Sequence, residues 1–239
     1  MDTDYRKKKL YRIMDFDRVV QIFEKKELYF GKPIIWDDPY ESILSHAKSD
    51  HIYSQCWSFS GVSDAMWRIY SKNGMGVRIS TTFEKLDSLL KTPQDDGAFM
   101  YRLRPVKYVS PIEIRQEAIE VAHCSKINLD LARVVDLLYM KRSAFSHEEE
   151  LRATIFFPGE EDSYDAPGVT IPIDPNDFIE NILLDPRAPE ELIKSFEHYF
   201  RNVLGYKNTI KRSELYKAPD IIEIKSKVVS LEEILETKK

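Results

Sequence analysis

The chain has 239 residues, 43% of them apolar and 31% charged, and its 35 basic and 40 acidic residues leave a net charge of −5. This balance, with 12% aromatics, excludes a disordered or collagen-like chain and argues against broad binding to a phosphate backbone, which needs a basic surface. No apolar run approaches the ~18 residues of a membrane span. The sparse glycines form neither G-x-G-x-x-G nor G-x-x-x-x-G-K-[ST], so membrane, Rossmann and P-loop classes lose their support.

Met1 to Lys9 is a charged arm with no apolar stretch behind it, so no secretory leader is expected. Leu10 to Ile13 alternates as a strand. Phe16, Val19, Val20 and Phe23 recur at i, i+3, i+4, i+7 and predict a helix capped by Asp15 or Asp17. Leu28-Tyr29-Phe30 is a second strand. Asp37-Asp38-Pro39-Tyr40-Glu41 is a turn, because a residue before proline avoids the helical region. Ile52 to Phe59 alternates as a central strand. Ser63 caps a short helix with Met66, Trp67 and Tyr70, Asn73-Gly74 turns the chain, and Gly76 to Ser80 is a strand. A helix over 82–91 follows, then a strand over 101–109 broken at Pro105. The absence of Gly and Pro predicts a long helical region over 111–146, with Ile127, Leu131, Val134, Val135 and Leu138 on its buried face. Glu150 to Phe157 is a strand with Leu151, Ala153, Ile155 and Phe157 on one side and Arg152, Thr154 and Phe156 on the other. Residues 158–168 form an acidic loop. Strands are predicted over 169–173 and 178–184, an amphipathic helix over 189–204, a last strand over 221–224 and a tail over 229–239. These elements predict a single α+β domain over 1–239, with a mixed or antiparallel sheet and several packed helices.

The densest titratable run is Lys141 to Arg152. In an extended chain Glu148 and Glu150 share a face, and two carboxylates there repel, leaving one available for acid–base or cation-stabilising work. Arg152 shares that face and could hold one of them ionised. The alternative is a solvated charged loop. Cys56, Ser58 and Ser60 form a small polar strand face that suits a ligand cleft, or simply a strand that ends in serines. Cys56 as a nucleophile needs a histidine beside it, and the five histidines show no H-E-x-x-H spacing, so no metal is assigned. Arg12 interrupts an apolar strand. A buried arginine needs an anion, either Asp38 or Glu41 as a structural partner or a ligand phosphate. Trp57, Trp67, Tyr70 and Phe145 are the aromatics expected around one cleft. With two cysteines and no disulfide pattern, a cytoplasmic setting is expected.

Several blocks resemble a known bacterial family. Leu10-Tyr11-Arg12, Leu28-Tyr29-Phe30 and Trp36-Asp37-Asp38-Pro39-Tyr40-Glu41 are similar to the LYRY strand and FNDPFE turn that open domain of unknown function 2971. Cys56-x-Ser58, Met66-Trp67-x-x-Tyr70, Gly76-Val77-Arg78-Ile79, Lys141-x3-Phe145-x2-Glu148-x-Glu150-x-Arg152 and Ile182-Leu183-Leu184-Asp185-Pro186 resemble its later blocks. The likeness spans roughly residues 10 to 216. Trp36, Asp37 and Phe145 stand where the family has Phe, Asn and Trp.

The running order also resembles ADP-ribosyltransferases, and the opening is similar to DNA-targeting ADP-ribosyltransferase toxins. This resemblance implies a split β-sandwich that grips NAD without a Gly-rich loop. It implies that Arg12 holds the cofactor's phosphates or ribose and that Ser58 and Ser60 shape the nicotinamide pocket. It implies that Glu150 bonds the ribose hydroxyl and steadies an oxocarbenium-like transition state while Glu148 orients the acceptor. Tyr70 and Phe145 would stack on the cofactor, and Arg152 belongs to the same binding set. The implied function is an NAD-dependent ADP-ribosyltransferase-like enzyme, a toxin or phage-defence effector, with a protein, nucleic acid or nucleoside acceptor and a partner in a defence or toxin–antitoxin system. Two other readings stand beside it: a non-catalytic sensor or partner-binding module held by an Arg12, Asp38, Glu41 and Arg152 ion network, and a metal-dependent nuclease using Asp38, Glu41, Glu148 and Glu150.

Overall fold

The computed structural model describes residues 3–44, 46, 48–91, 99–125, 130–157 and 166–219. The architecture is mixed α+β, as expected. Strands β1 (Lys9–Asp15), β2 (Glu27–Gly31), β3 (Ile52–Ser58), β4 (Gly76–Thr82) and β5 (Met100–Pro105) are joined in one mixed sheet by β8 (Glu150–Phe156), β9 (Gly168–Pro172), β10 (Asn181–Leu184) and β11 (Thr209–Arg212). β6 (Lys107–Val109) and β7 (Met140–Arg142) form a separate parallel pair. The helices are α1 (Thr3–Arg6), α2 (Phe16–Lys25), α3 (Asp64–Tyr70), α4 (Phe83–Lys91), α5 (Pro111–Cys124), α6 (Leu131–Leu137), α7 (Pro175–Phe178) and α8 (Glu190–His198).

The sheet divides at β3. One edge of β3 pairs with β8 along its whole length, from Ile52 opposite Phe156 to Ser58 opposite Glu150. Its other edge is shared: Ser58 bridges Tyr11 of β1, and Ser54 bridges Gly31 of β2. One wing is therefore β11-β10-β4-β1, and the other is β5-β8-β3-β2-β9. Among the described residues Tyr11 to Ser58 is the single ladder pair between β1 and β3. Beyond it β1 continues through Arg12 to Asp15 against β4 alone, so a split opens beside β3.

Period-two alternation sorts the two faces of the sheet. Tyr53, Trp57, Leu151, Ala153 and Ile155 point into the main core, with Leu10, Ile79 and Ile182 from the other wing. Helices α2 and α8 cover that core, where Phe16 stacks on Phe196 at 4.0 Å and Val19 and Phe23 are buried. Full burial of side chains of this size contributes roughly 1.5–3 kcal/mol each. A second cluster, with Ile52, Phe156, Leu131, Val134, Val135 and Leu138, lies under α5 and α6. Asp15 stands at the start of α2 without capping it through its side chain, whereas Ser63 does cap α3. Asp38 accepts from the Tyr40 amide and caps the start of the short 3-10 helix Pro39–Ser42, into which the 37–41 turn runs. Gly74, at φ 68°, supplies the turn before β4.

Four expectations need correction or fall outside. The long helical region over 111–146 ends early: α6 stops at Leu137, Met140–Arg142 is strand β7, and Ser143–Glu148 is a 3-10 helix. The parallel ladder to Lys107–Val109 draws those residues out of the helical state although no Gly or Pro breaks the run. The 178–184 strand begins only at Asn181, because Phe178 ends α7 behind the Asp174 cap. Strand β11 was not anticipated; it pairs parallel to β10. Ile127, most of the acidic loop, the 221–224 strand and the tail lie outside the described residues. No described helix is long and apolar enough to cross a membrane.

Candidate active site

The β3–β8 register places Ser58 opposite Glu150 and Cys56 opposite Arg152, all on the face away from the main core. Arg152 is fully buried, and its Nε donates to Glu150 Oε1 at 2.5 Å while Nη2 donates to Glu150 Oε2 at 2.9 Å. The same guanidinium bonds Glu41, from the 3-10 helix Pro39–Ser42, and the Leu138 carbonyl. Trp36 lies against it, 4.3 Å from the ring centre. Lys141, from β7, is the second hub. Its Nζ donates to Glu148 Oε2 at 2.6 Å and Glu150 Oε2 at 3.2 Å, and it lies 3.9 Å from Glu41.

Glu148 and Glu150 converge by a route the sequence did not suggest. Glu148 ends a 3-10 helix, Glu149 is left-handed at φ 43°, and only Glu150 begins the strand. The kink at Glu149, a conformation that non-glycine residues rarely adopt, turns both carboxylates onto Lys141. Three carboxylates (Glu41, Glu148, Glu150) thus meet two cations (Lys141, Arg152), leaving one negative charge in excess.

The shifts follow from this crowding. Burial pushes the Glu150 carboxyl up, but Arg152 and Lys141 outweigh it and hold the group below its ordinary value. Burial pulls Lys141 and Arg152 down, and the carboxylates raise both above normal. Glu41 stays raised, because its desolvation exceeds what Arg152 and Lys141 return. Burial and then Glu150 drive the Cys56 thiol well up, which disfavours the nucleophilic thiolate.

The two buried carboxylates at the start of β8 differ. Glu150 has both oxygens engaged by Arg152 and Lys141, and its amide donates to the Tyr108 hydroxyl at 2.8 Å. Desolvation is the main reason that hydroxyl is pushed up to about 12. Glu148 has one oxygen on Lys141; among the described residues the other accepts only a long 3.4 Å bond from the hydroxyl of Tyr70, a half-exposed side chain on α3. Ser58 Oγ donates to the Glu148 carbonyl at 2.6 Å and accepts from the Ser60 amide at 3.0 Å, so the strand end holds the backbone that carries Glu148. Phe145 lies 4.9 Å from Lys141 and 5.2 Å from Arg142.

Arg12 sits on β1 opposite Ile79, one residue past the Tyr11–Ser58 bridge. It is partly buried, and desolvation lowers its pKa; the groups that oppose this are Cys56 and Tyr70. The two structural partners the sequence offered are taken elsewhere. Asp38 pairs with Arg142 at 3.0 Å, and Glu41 with Arg152 and Lys141. Among the described residues no carboxylate lies within ion-pair distance of Arg12. Cys56, which feels Glu150, Arg152 and Arg12, and Tyr70, which bonds Glu148, are the groups that couple the cluster electrostatically to this arginine.

The predicted residues Ser58, Ser60, Tyr70, Phe145, Glu148, Glu150 and Arg152 thus gather at one ion cluster; Arg12, opposite Ile79, starts from the core-facing side of β1 and is linked to the cluster only electrostatically, through Cys56 and Tyr70. Trp57 does not join them: it is buried on the opposite face, edge-on to Phe178 at 6.1 Å. Trp67 is buried, and its carbonyl accepts from Arg187, which also clamps Asp185 and Ser71. That clamp ties the end of α3, and so Tyr70, to the end of β10. Lys141 as a hub and Tyr108 as a support were missed. Lys141 was visible as the first residue of the Lys141-to-Arg152 block; nothing local marked Tyr108.

Comparison with known proteins gives a partial family match and a set of structural likenesses. No curated protein matches the sequence. Three solved structures from Thermus sp. 2.9 align over most of both chains. DarT in complex with NAD+ has 10% identity and a TM-score of 0.42, covering 88% of this chain and 98% of that one. DarT in complex with carba-NAD+ has 10% identity and 0.40, over 87% and 96%. DarT in complex with ADP-ribosylated ssDNA has 9% identity and 0.43, over 88% and 96%. The profile of the protein family of unknown function DUF2971 matches residues 66–153, from Met66 on α3 to Ala153 on β8, so it takes in Tyr70, Phe145, Glu148, Glu150 and Arg152 but neither the opening blocks nor the late strand.

Proposed function

We propose that the protein is an NAD-dependent ADP-ribosyltransferase-like enzyme working at the split beside β3. One observation carries this reading: an arginine with no carboxylate partner among the described residues is coupled electrostatically, through Cys56 and Tyr70, to a buried cluster with a surplus carboxylate. A partly buried, desolvated guanidinium without a counter-charge is costly, and it suits a diphosphate by charge and by its forked donors. A carboxylate beside the ribose stabilises the positive charge that builds as the nicotinamide–ribose bond breaks. A dinucleotide with an anionic middle and a cation-forming carbon matches both sides at once. The block order that resembles ADP-ribosyltransferases points the same way.

In this reading Arg12 binds the diphosphate. Ser58 and Ser60 hold the strand end at the ribose, and Tyr70 and Phe145 supply aromatic surface. The resemblance puts Glu150 first among the carboxylates. The hydrogen bonding favours Glu148 as the group that meets the ligand, since its Oε1 has only the long Tyr70 bond, while Glu150 braces it through Lys141. The acceptor is a nucleic acid or protein nucleophile that enters from the exposed Tyr70 side.

The nuclease reading loses support because Asp38, Glu41, Glu148 and Glu150 are engaged by Arg142, Arg152 and Lys141, which would have to leave for a cation to enter. The test is release of nicotinamide from labelled NAD in the presence of cell lysate. Wild type releases it, and Glu148→Gln lowers the rate about 10²–10³-fold, the scale of removing one transition-state electrostatic group, with the melting temperature retained. A wild-type protein that never turns over NAD, or a Glu148→Gln enzyme that keeps its rate, rejects the reading.

A further inference from the structure

A second arginine has no carboxylate partner among the described residues. Arg78 lies on β4, paired with Ile13 of β1 on one edge and Leu183 of β10 on the other. It is 8% exposed. One of its terminal nitrogens donates to the Gly61 carbonyl, and its guanidinium packs 4.5 Å from the centre of the Tyr11 ring. Its buried Nε has no hydrogen-bond partner among the described residues. Desolvation lowers its pKa, and only Tyr11 opposes that.

Arg78 lines a narrow cavity with Tyr11, Ser58, Ser60, Gly61 and Ser63. The space suits about one water molecule, close to the size of a single anionic oxygen. Ser58, on this wall, also holds the backbone of Glu148, so the cavity adjoins the cluster described above. Gly61 keeps the wall close: a Cβ there would lie 2.8 Å from the Tyr11 ring, so only glycine allows the ring to sit between the loop and the guanidinium.

A positive group this buried, with a spare donor and, among the described residues, no acid, is only partly offset by the Gly61 carbonyl and the Tyr11 ring, and a ligand that supplies the charge accounts for it. We propose that Arg78 is an anion-binding residue of the cleft, taking one phosphoryl oxygen of a nucleoside diphosphate while the rest of the ligand stays outside the cavity. The identity of the ligand rests on the transferase reading above; the presence of the site does not.

The test measures ADP affinity by calorimetry and the melting temperature without ligand, for wild type and Arg78→Met. Loss of a charge-assisted contact weakens ADP binding about ten- to a hundredfold. Because methionine removes an uncompensated charge and keeps the volume, the unliganded melting temperature stays equal or rises. A merely structural arginine gives the opposite pair, a lower melting temperature with wild-type ADP affinity, and overturns the proposal, as does a wild type that does not bind ADP. Should Arg78→Met fail to fold, Arg78→Lys decides. It keeps the charge without the planar fork, so ADP affinity at least about threefold weaker supports the site and wild-type affinity rejects it. The two failures separate: nicotinamide release by wild type with an unchanged KM for NAD in Arg78→Met sinks the site alone. ADP bound through Arg78 by a protein that never releases nicotinamide sinks the transferase reading alone.

Discussion

Arg152 and Arg12 are guanidiniums on the two wings of one sheet, and their surroundings are opposite. Arg152 is buried against Glu41 and Glu150, with Trp36 across its face and the Leu138 carbonyl at its end. Among the described residues Arg12 has no carboxylate partner, and the titratable groups that act on it are a thiol and a phenol. A buried ion pair that is fully bonded holds strands in register. A desolvated ion left unpaired, even a partly buried one, costs free energy for as long as nothing binds it. The first arrangement is what a framework needs and the second what a binding site needs, so satisfaction of charge, more than its presence, separates scaffold from site.

The largest way to sharpen that contrast is to remove Arg152. Arg152→Ala leaves Glu41 and Glu150 buried with only Lys141 to serve them and lowers stability by about 3–5 kcal/mol, on the order of 10 °C in melting temperature. Arg12→Met is the matched experiment on the other wing. Stability changes by less than about 0.5 kcal/mol or rises, while the KM for NAD increases about ten- to a hundredfold. Equal destabilisation by the two variants would erase the distinction between them.

Acid gives a subtler separation. Glu150 has a lowered pKa in the fold, so its contribution is intact above the ordinary glutamate value of about 4.3 and is lost as the pH falls through the lower folded value. Urea unfolding of wild type and Glu150→Gln should therefore differ by a constant amount above about pH 5 and converge only in strong acid. A gap that already closes at neutral pH would show that the Arg152 and Lys141 pairings do not hold Glu150 ionised. The smallest effect belongs to Gly61→Ala, which forces the Tyr11 ring to shift and weakens ADP binding and stability by about 1 kcal/mol or less.

What could be seen in the sequence was local. Strand alternation put Cys56 with Ser58, and Glu150 with Arg152, on shared faces, and the register brings the two pairs opposite one another. The same alternation set Trp57 on the other side from Ser58, so its place in the core was available to a stricter use of the pattern. What could not be seen depended on distant chain. Residues 140–142 looked helical because nothing within them breaks a helix; only the ladder to Lys107–Val109 makes them a strand and delivers Lys141 to the carboxylates. Likewise the isolation of Arg12 is decided by Arg142 and Arg152, which occupy the two acids that could have served it.

The single bridge between Tyr11 and Ser58 has a consequence for how the molecule breathes. β1 is bonded to β4 from Lys9 to Asp15, but on its other edge it is held to β3 at one point. Amide protons of residues 12–15 that point toward β3 therefore lack a strand partner and should exchange with solvent deuterium far sooner than their neighbours that point toward β4. Ligand bound across the gap would slow that fast set and leave the slow set unchanged, giving a residue-by-residue record of when the two wings are tied together.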